Sequence, residues 1–162
     1  MVTAREVAET VTDPELPQLT LADLGVLRDV AERDGRVTVT ITPTYTGCPA
    51  LDTMRDDLVR RLTEAGFAGV DVRIALSPAW SSDQITAAGR RKLAAAGIAP
   101  PGRAPRPPAG PVPLTLGPTR TAACPRCGSP DTEELSEFGA TACRALRRCR
   151  SCREPFDHFK EI

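Results

Sequence analysis

Four cysteines near the end of the chain have the type and spacing of a metal site. They form two Cys-x-x-Cys pairs, Cys124 with Cys127 and Cys149 with Cys152. A two-residue spacer lets both thiolates of one tight turn reach the same ion, and two such turns complete a tetrahedron. Because thiolates fill all four positions, we expect a structural ion with no open coordination position. The pattern predicts a β zinc ribbon over residues 120–162, with zinc favoured over a single iron atom or an iron–sulfur cluster.

The segments around these pairs fit a ribbon. Thr132–Phe138 and Cys143–Arg148 read as short strands between the pairs, and Phe156–Lys160 reads as a third strand. A piece this small cannot bury enough apolar surface by itself, so the ion substitutes for a core. Gly128, directly after the first pair, suits the left-handed backbone that such a turn needs.

Two further residues with ligand atoms stand outside the four-cysteine set. Cys143 is a spare ligand, a redox thiol or a small apolar residue of the ribbon interior, and the last role is favoured. His158 is the only histidine of the chain. We expect it to be a surface or packing residue and not a ligand.

Five arginines cluster around the second cysteine pair. A basic ribbon can bind nucleic acid or an acidic protein face. No aromatic residue lies within the run, however, and single strands are held largely by stacking on aromatic rings. The formal net charge of the chain is also +0, so we favour solvated arginines or a partner-docking face over nucleic-acid binding. The arginines are Arg144, Arg147, Arg148, Arg150 and Arg153.

The N-terminal part contains one further thiol, Cys48, between a predicted strand and a predicted helix. With Pro49 as the first helical residue, this thiol would meet the unpaired N–H groups of the helix start, which stabilise a thiolate. Cys48 is therefore either a nucleophilic or metal-binding thiol or a small buried residue at the start of the helix. The spacing leaves both roles open.

No second group completes a catalytic set around this thiol. His158 belongs to the other part of the chain, so a thiol–imidazole pair cannot be assembled. The sequence has no HExxH, Walker or glycine-rich phosphate motif. Asp13 and Glu15 lie in an Asp-Pro-Glu turn, which is more often a solvated loop than a site. The absence of a nearby histidine base counts against a thiol enzyme, although activation at the helix start could suffice.

The sequence pattern of residues 1–97, which includes Cys48, predicts helices and strands in the order α-β-β-α-β-α. This order is typical of a small two-layer α+β sandwich. A capping box of Thr3 and Glu6 opens the first helix, and Asp34-Gly35 is a hairpin signal. The expected helices are Thr3–Val11, Pro49–Ala65 and Asp83–Ala96, and the expected strands are Val26–Val30, Val37–Ile41 and Val70–Leu76.

A proline-rich segment, residues 98–119, separates the two parts. It holds eight of the 16 prolines, so it is expected either to be an extended, semi-rigid linker or to pack along a domain surface. No leader or membrane span is apparent, so a cytosolic protein is expected. Six cysteines in that compartment indicate metal binding or thiol chemistry and not disulfides. Exposed strand edges leave a homodimer open.

Three motifs of the N-terminal part together resemble iron–sulfur cluster assembly proteins of the SufT type. The resemblance implies that Cys48 is the reactive cysteine, with Asp13 and Glu15 beside it in the fold. It also implies that iron or an iron–sulfur cluster is held at Cys48 transiently. The motifs are Asp-Pro-Glu-Leu-Pro at 13–17, Asp-Leu-Gly-Val at 23–26 and Thr-Gly-Cys-Pro at 46–49.

The C-terminal motifs are similar to an accessory family of bacterial phenylacetate degradation. That resemblance implies that this chain matures the iron or iron–sulfur centres of the phenylacetyl-CoA ring-1,2-epoxidase. The client proteins, which would receive the metal, are then the oxygenase or reductase subunits of that enzyme. The sequence lacks the Glu and Glu-x-x-His set of a di-iron bundle, so the chain is not expected to be the oxygenase. General assembly proteins lack a ribbon, so the ribbon would recognise the client. The alternatives are a stable structural subunit and, less favoured, a thiol enzyme. The motifs lie at 134–139 and 154–160, with further matches at 77–80 and 88–93.

Overall fold

The computed structural model describes residues 2–104 and 122–162. The chain forms two compact units, Met1–Lys92 and Leu93–Ile162. Within the described ranges, no helix is both long and apolar enough to cross a membrane.

The first unit contains a three-stranded sheet and helices, which confirms the predicted α+β class. The strand order is β1-β2-β3, with β1 antiparallel and β3 parallel to the central strand β2. A 3-10 turn, Ser82–Gln84, precedes the third helix, and the boundary between the units falls within that helix. The elements are α1 Ala4–Ala8, β1 Leu27–Arg33, β2 Arg36–Ile41, α2 Leu51–Glu64, β3 Val70–Ile74 and α3 Ala87–Ala95.

The central strand separates a buried face of the sheet from an open one. Val37, Val39 and Ile41 of β2 are fully buried, whereas the alternating residues Thr38 and Thr40 are only half-buried. This is the period-2 pattern of a strand with one face on a core. The apolar side of α2 completes that core with Met54, Leu58 and Leu62, all buried.

Two local predictions about turns and caps are confirmed. Thr3 and Glu6 form a reciprocal capping box at the start of α1. Asp34 and Gly35 connect β1 to β2 with φ angles of +50° and +72°, the left-handed pair that a tight hairpin requires.

The start of α2 differs from the expectation. The helix begins at Leu51, not at Pro49, because the N–H of Leu51 bonds to the carbonyl of Cys48 at 3.2 Å and closes a separate turn. Pro49 takes a central position of that turn, a role that suits its fixed φ as well as a helix start does. Cys48 therefore lies three residues before the first helical residue.

The segment before α3 also departs from the single expected helix Asp83–Ala96. Ile85 adopts an extended conformation between the 3-10 turn and the helix. The Thr86 hydroxyl accepts a hydrogen bond from the N–H of Gly89 at 2.9 Å and so caps α3.

The Asp23-Leu24-Gly25 loop is fastened to the segment that precedes and begins α3. The carbonyl of Asp23 accepts from the N–H of Thr86 at 2.9 Å, and the carbonyl of Leu24 accepts from the indole of Trp80 at 2.9 Å. A Cβ at Gly25 would lie 2.6 Å from a backbone oxygen of Gln84, so only glycine allows this approach. The loop thus has a structural role in the unit.

The second unit is a four-stranded sheet in the order β4-β7-β6-β5. Its first strand, Ile98–Ala99, pairs in parallel with β7, so the proline-rich segment begins as a strand of this sheet. Residues 105–119 of the predicted linker lie outside the described residues, and the expected division at residues 97/98 and 119/120 stays a prediction. The strands are β4 Ile98–Ala99, β5 Thr132–Ser136, β6 Arg144–Cys149 and β7 Pro155–Phe159.

Candidate metal centre and thiol site

The four predicted cysteines come together in the second unit. The sulfurs of Cys124, Cys127, Cys149 and Cys152 all lie within 4.8 Å of one another. Cys124 Sγ is 3.8 Å from Cys152 Sγ, and Cys127 Sγ is 3.6 Å from Cys149 Sγ. A tetrahedron with metal–sulfur bonds of about 2.3 Å has edges of about 3.8 Å. The donor set therefore fits one tetrahedrally bound zinc ion.

Each pair is held by its own turn, and a hydroxyl contact joins the two turns. The carbonyl of Cys124 accepts from the N–H of Gly128 at 2.9 Å, and the N–H of Cys149 donates to the carbonyl of Glu154 at 3.0 Å. The hydroxyls of Ser129 and Ser151 lie 2.8 Å apart. These contacts stabilise the two turns around the ion that the four sulfurs would bind.

The protonation of the thiols is uneven. The N–H of Cys152 directed at the Cys149 sulfur, 3.5 Å away, lowers the pKa of the Cys149 thiol to about 6. The N–H of Ser129 favours the Cys127 thiolate, but contact with the Cys149 sulfur and burial together outweigh it and raise the pKa of Cys127 to about 12. Of these two thiols, Cys149 ionises the more readily, and metal binding must displace the protons that remain.

Neither Cys143 nor His158 belongs to the sulfur cluster. Cys143 is buried, and its sulfur lies 3.1 Å from the hydroxyl of Thr141. His158 is also buried, with Nε2 at 3.4 Å from Oε1 of Glu161. Both residues occupy the interior of the ribbon.

Glu161 links the end of the chain to the segment that follows β4. Its Oε1 accepts a hydrogen bond from the N–H of Gly102 at 2.8 Å. Burial alone would raise the pKa of this carboxyl, but His158 and the N–H of Gly102 outweigh burial and lower the pKa to about 2. No local pattern in the sequence indicates this contact, because it joins positions 59 residues apart.

Four of the five clustered arginines of the ribbon pair with acidic residues of the same unit. Arg144 lies 3.0 Å from Asp157, and Arg147 lies 3.3 Å from Glu134. Arg147 is only 2% exposed, so its guanidinium is part of the ribbon interior. Paired cations offer little field to a polyanion. The other pairs are Arg148 with Glu133, and Arg150 with Glu133 and Asp131.

An open cavity of about 280 Å³ lies against the first cysteine pair. Pro125 and Phe156 give it an apolar part, and Arg126 and Glu154, an ion pair at 2.6 Å, line it as well. The metal ligand Cys124 also lines this cavity.

In the first unit, Cys48 is 8% exposed and lies in the loop between β2 and α2. Asp13 is 6% exposed, and its Oδ1 accepts hydrogen bonds from the N–H groups of Glu15 and Leu16 at 2.8 and 2.9 Å. Asp13 therefore stabilises its own turn and is not the exposed-turn residue that the sequence suggested. Glu15 is half-buried.

Backbone hydrogen bonds place the two loops at the same end of the sheet. Thr42, directly after β2, donates to the carbonyl of Val26 at 2.9 Å, and Val26 donates to the carbonyl of Leu21 at 2.9 Å. Leu21 in turn donates to the carbonyl of Val11 at 2.9 Å. The Asp13 turn follows Val11, and the Cys48 loop follows Thr42. That Asp13 and Glu15 lie beside Cys48 stays a prediction.

Comparison with known families assigns both units. A family model described as an iron–sulfur cluster assembly protein matches residues 3–76, and a model described as the PaaD zinc beta ribbon domain matches residues 108–160. The predicted resemblances of the two parts are thereby confirmed.

Individual proteins agree with these assignments. The chain is 42% identical over 156 residues to an Escherichia coli K12 protein named as a subunit of 1,2-phenylacetyl-CoA epoxidase, covering 94% of this chain and 87% of that protein. It is 37% identical over 79 residues to an Fe-S protein maturation auxiliary factor of Porphyromonas gingivalis, covering 48% of this chain and 74% of that protein.

Among solved structures, a domain of unknown function from Bacillus anthracis has the fold of the first unit. The TM-score is 0.52 at 26% identity, and the match covers 56% of this chain and 87% of that one.

Proposed function

Because the chain belongs to the PaaD family of 1,2-phenylacetyl-CoA epoxidase proteins, we propose that it is a cytoplasmic accessory protein that matures the metal centres of this epoxidase. Iron or an iron–sulfur cluster would be its cargo, and the oxygenase or reductase subunits would be its clients. The match of residues 3–76 to the iron–sulfur assembly model supports this role over a catalytic one.

The observation that carries the proposal is the setting of Cys48. This thiol lies in the assembly-type unit, in a loop that leaves the sheet at the same end as the Asp13 turn. A thiolate is a ligand that iron accepts readily, and a carboxylate from Asp13 or Glu15 would complete a small, exchangeable site. Because so few protein ligands would bind the iron or cluster, the affinity would be low, which suits transfer of this cargo and not its storage.

The ribbon would hold one structural zinc ion per chain and dock the client. Its four sulfurs leave no position for substrate or cargo. The cavity beside Cys124, with its exposed ion pair and its apolar part, supports a docking role for this unit.

The test is metal and sulfide analysis of anaerobically purified protein, comparing the wild type with Cys48→Ser. We expect one zinc per chain in both, and additional iron, with or without sulfide, only in the wild type. Client activation should fail with Cys48→Ser. Cys143→Ser is the matched control, because Cys143 is equally buried and lies outside the sulfur cluster, so this variant should keep both the iron and the activation.

A second candidate function is that of a stable structural subunit of the epoxidase. The 8% exposure of Cys48 favours it, since a thiol this buried also serves as a small core residue. In that case the chain would co-purify with the epoxidase at fixed stoichiometry, and Cys48→Ser would leave epoxidation intact. If the wild-type protein contains no iron after every loading condition, the structural role is favoured over the carrier role.

A further inference from the structure

The sheet face of the first unit that lies opposite the buried one forms an open groove of about 780 Å³. Its floor is the central strand, where Thr38 and Thr40 point outward, with Ala31 of β1 directly beside Thr38. These side chains are small, so another chain can approach this part of the sheet closely.

One end of this groove carries two arginines that face each other. Arg33 of β1 is the register partner of Arg36 of β2, and both are exposed. Like charges directly opposite on adjacent strands repel each other and destabilise the pair. Within the part of the chain that the structure describes, neither arginine has an ion pair or a hydrogen bond from its guanidinium. The hairpin end of the groove therefore presents two arginines without an ion pair, next to the exposed carboxylate of Asp34.

The stem of Arg36 is held in place. A Cβ added at Gly69 would lie 3.3 Å from Cγ of Arg36, so the side chain runs closely over this glycine. Binding a ligand normally costs an arginine side chain its rotamer freedom, which weakens the binding. Because the stem of Arg36 is already held in place, this cost is smaller here.

One further charge of the groove, the exposed Asp34 of the hairpin turn, has no ion pair among the described residues, whereas the remaining charges of the groove are paired. Asp29 pairs with Arg5 at 3.2 Å, and Arg73 pairs with Asp71 at 2.9 Å. The groove is thus near neutral along its length, and Arg33, Arg36 and Asp34 together give its hairpin end a formal charge of about +1. A polyanion would meet Asp29 and Asp71 farther along, whereas a protein segment with its acidic residues at one end matches this distribution.

We propose that this groove docks a segment of the client protein whose acidic side chains bind between Arg33 and Arg36. The two guanidinium groups can each donate paired hydrogen bonds to a carboxylate. The carboxylate would also remove the repulsion between the arginines. This inference rests on the proposed function for the existence of a client, and it assigns the docking of that client to the first unit as well as to the ribbon.

The experiment is a binding titration of the full chain against the purified oxygenase and reductase components of the epoxidase. We expect Arg33→Glu/Arg36→Glu to weaken binding to one component by about 30-fold or more. Wild-type affinity should also fall steeply as the NaCl concentration rises from about 50 to about 300 mM. Inorganic phosphate at about 10 mM should not displace the component, since a single small anion lacks the contacts along the groove.

Two further variants keep the result interpretable. Arg36→Glu alone places opposite charges across the hairpin, which stabilises the strands, so a loss of binding in this variant is not a loss of folding. Arg55→Glu/Arg61→Glu makes the same change in net charge on α2, at two exposed arginines, and should alter affinity by less than about twofold.

Unchanged affinity in the Arg33 and Arg36 variants would overturn the inference, and so would an equal loss in the α2 variant. Full displacement by phosphate would overturn it too, since it would indicate a small-anion site. If these variants bind normally while Cys48→Ser abolishes client activation, docking by the groove fails and the proposed function stands. If the arginine variants lose binding while Cys48→Ser activates normally, the groove stands and the cargo role of Cys48 fails.

Discussion

At the scale of single residues, the two halves of the metal centre share one backbone device. The residue after each Cys-x-x-Cys pair is left-handed, with φ of +74° at Gly128 and +63° at Arg153. Glycine adopts this conformation without strain, whereas a side chain there is disfavoured by about 1–2 kcal/mol. The second turn therefore forms with some strain, and metal binding must compensate for it.

Replacing Gly128 by Ala should weaken zinc binding about fivefold, which corresponds to the loss of about 1 kcal/mol that a left-handed alanine entails. No described atom lies within 4 Å of the added Cβ, so the effect is confined to the backbone. Chelator competition measures it. Gly128→Asn is the control and should bind zinc more tightly than the alanine variant, because asparagine tolerates this conformation. Equal affinities for alanine and glycine would show that the left-handed turn does not limit zinc binding.

At the scale of elements, the loop that begins with Asp23 holds the first unit together through one carboxylate. Its Oδ2 accepts from the N–H of Thr20 at 3.0 Å and pairs with Lys92. Burial alone would raise the pKa of Asp23, but the Lys92 ammonium and the Thr20 N–H outweigh burial and lower the pKa below 3.8. A depressed carboxyl pKa adds stability that is present above pH 3.8 and lost as the pH falls through the folded-state value.

We expect Asp23→Asn to lower the unfolding free energy of this unit at pH 7 by about 1 kcal/mol, a value limited by the partial exposure of Lys92. The difference from the wild type should shrink as the pH falls below 3.8, because the aspartate then becomes neutral as well. Urea titration followed by the fluorescence of Trp80, the only tryptophan, measures this unit. Asp56→Asn, at an exposed position of α2, is the control. A difference that is independent of pH would argue against the ionised pair.

The elements show which kinds of structure a sequence can reveal. The four metal ligands were predicted because a Cys-x-x-Cys turn is local, and the β1–β2 hairpin because Asp34-Gly35 is local too. Strand β4 was missed because its two residues are held only by pairing with β7, far along the chain. The acids that neutralise the ribbon arginines depend on strand register, which shifts between Glu134 and Ser136.

The site of Cys48 illustrates the same limit. Its position between a strand and a helix was correct, but the helix start was placed two residues early because proline suits a turn and a helix start alike. The facing of Arg33 and Arg36 was not predicted, because the expected strands ended at Val30 and began at Val37, whereas the observed hairpin extends to these residues. That neither guanidinium forms an ion pair within the described residues could be seen only in the tertiary structure.

At the scale of the whole molecule, the two units depend on different sources of stability. The first unit has a buried apolar core that includes Val37, Val39 and Leu58. The second has a small core around Phe156 and two of the metal ligands, Cys124 and Cys149. The second unit should therefore require metal, and the first should not.

Removal of the metal with a strong chelator should unfold β5–β7 and leave the first unit folded. Amide NMR signals of the ribbon should collapse while Trp80 keeps its emission maximum. Cys149→Ser should reproduce the effect without a chelator, and Cys143→Ser should not, because Cys143 lies outside the cluster. Simultaneous loss of the Trp80 signal would show that the two units do not unfold independently.

Each metal-binding pair contains one buried and one exposed cysteine: Cys124 and Cys149 are buried, Cys127 and Cys152 exposed. An electrophile or oxidant in solution therefore meets the second sulfur of either pair first. Coordination lowers the reactivity of those sulfurs without hiding them, while the first sulfur of each pair remains shielded by protein. Chemical damage to this centre is therefore expected to begin at Cys127 or Cys152.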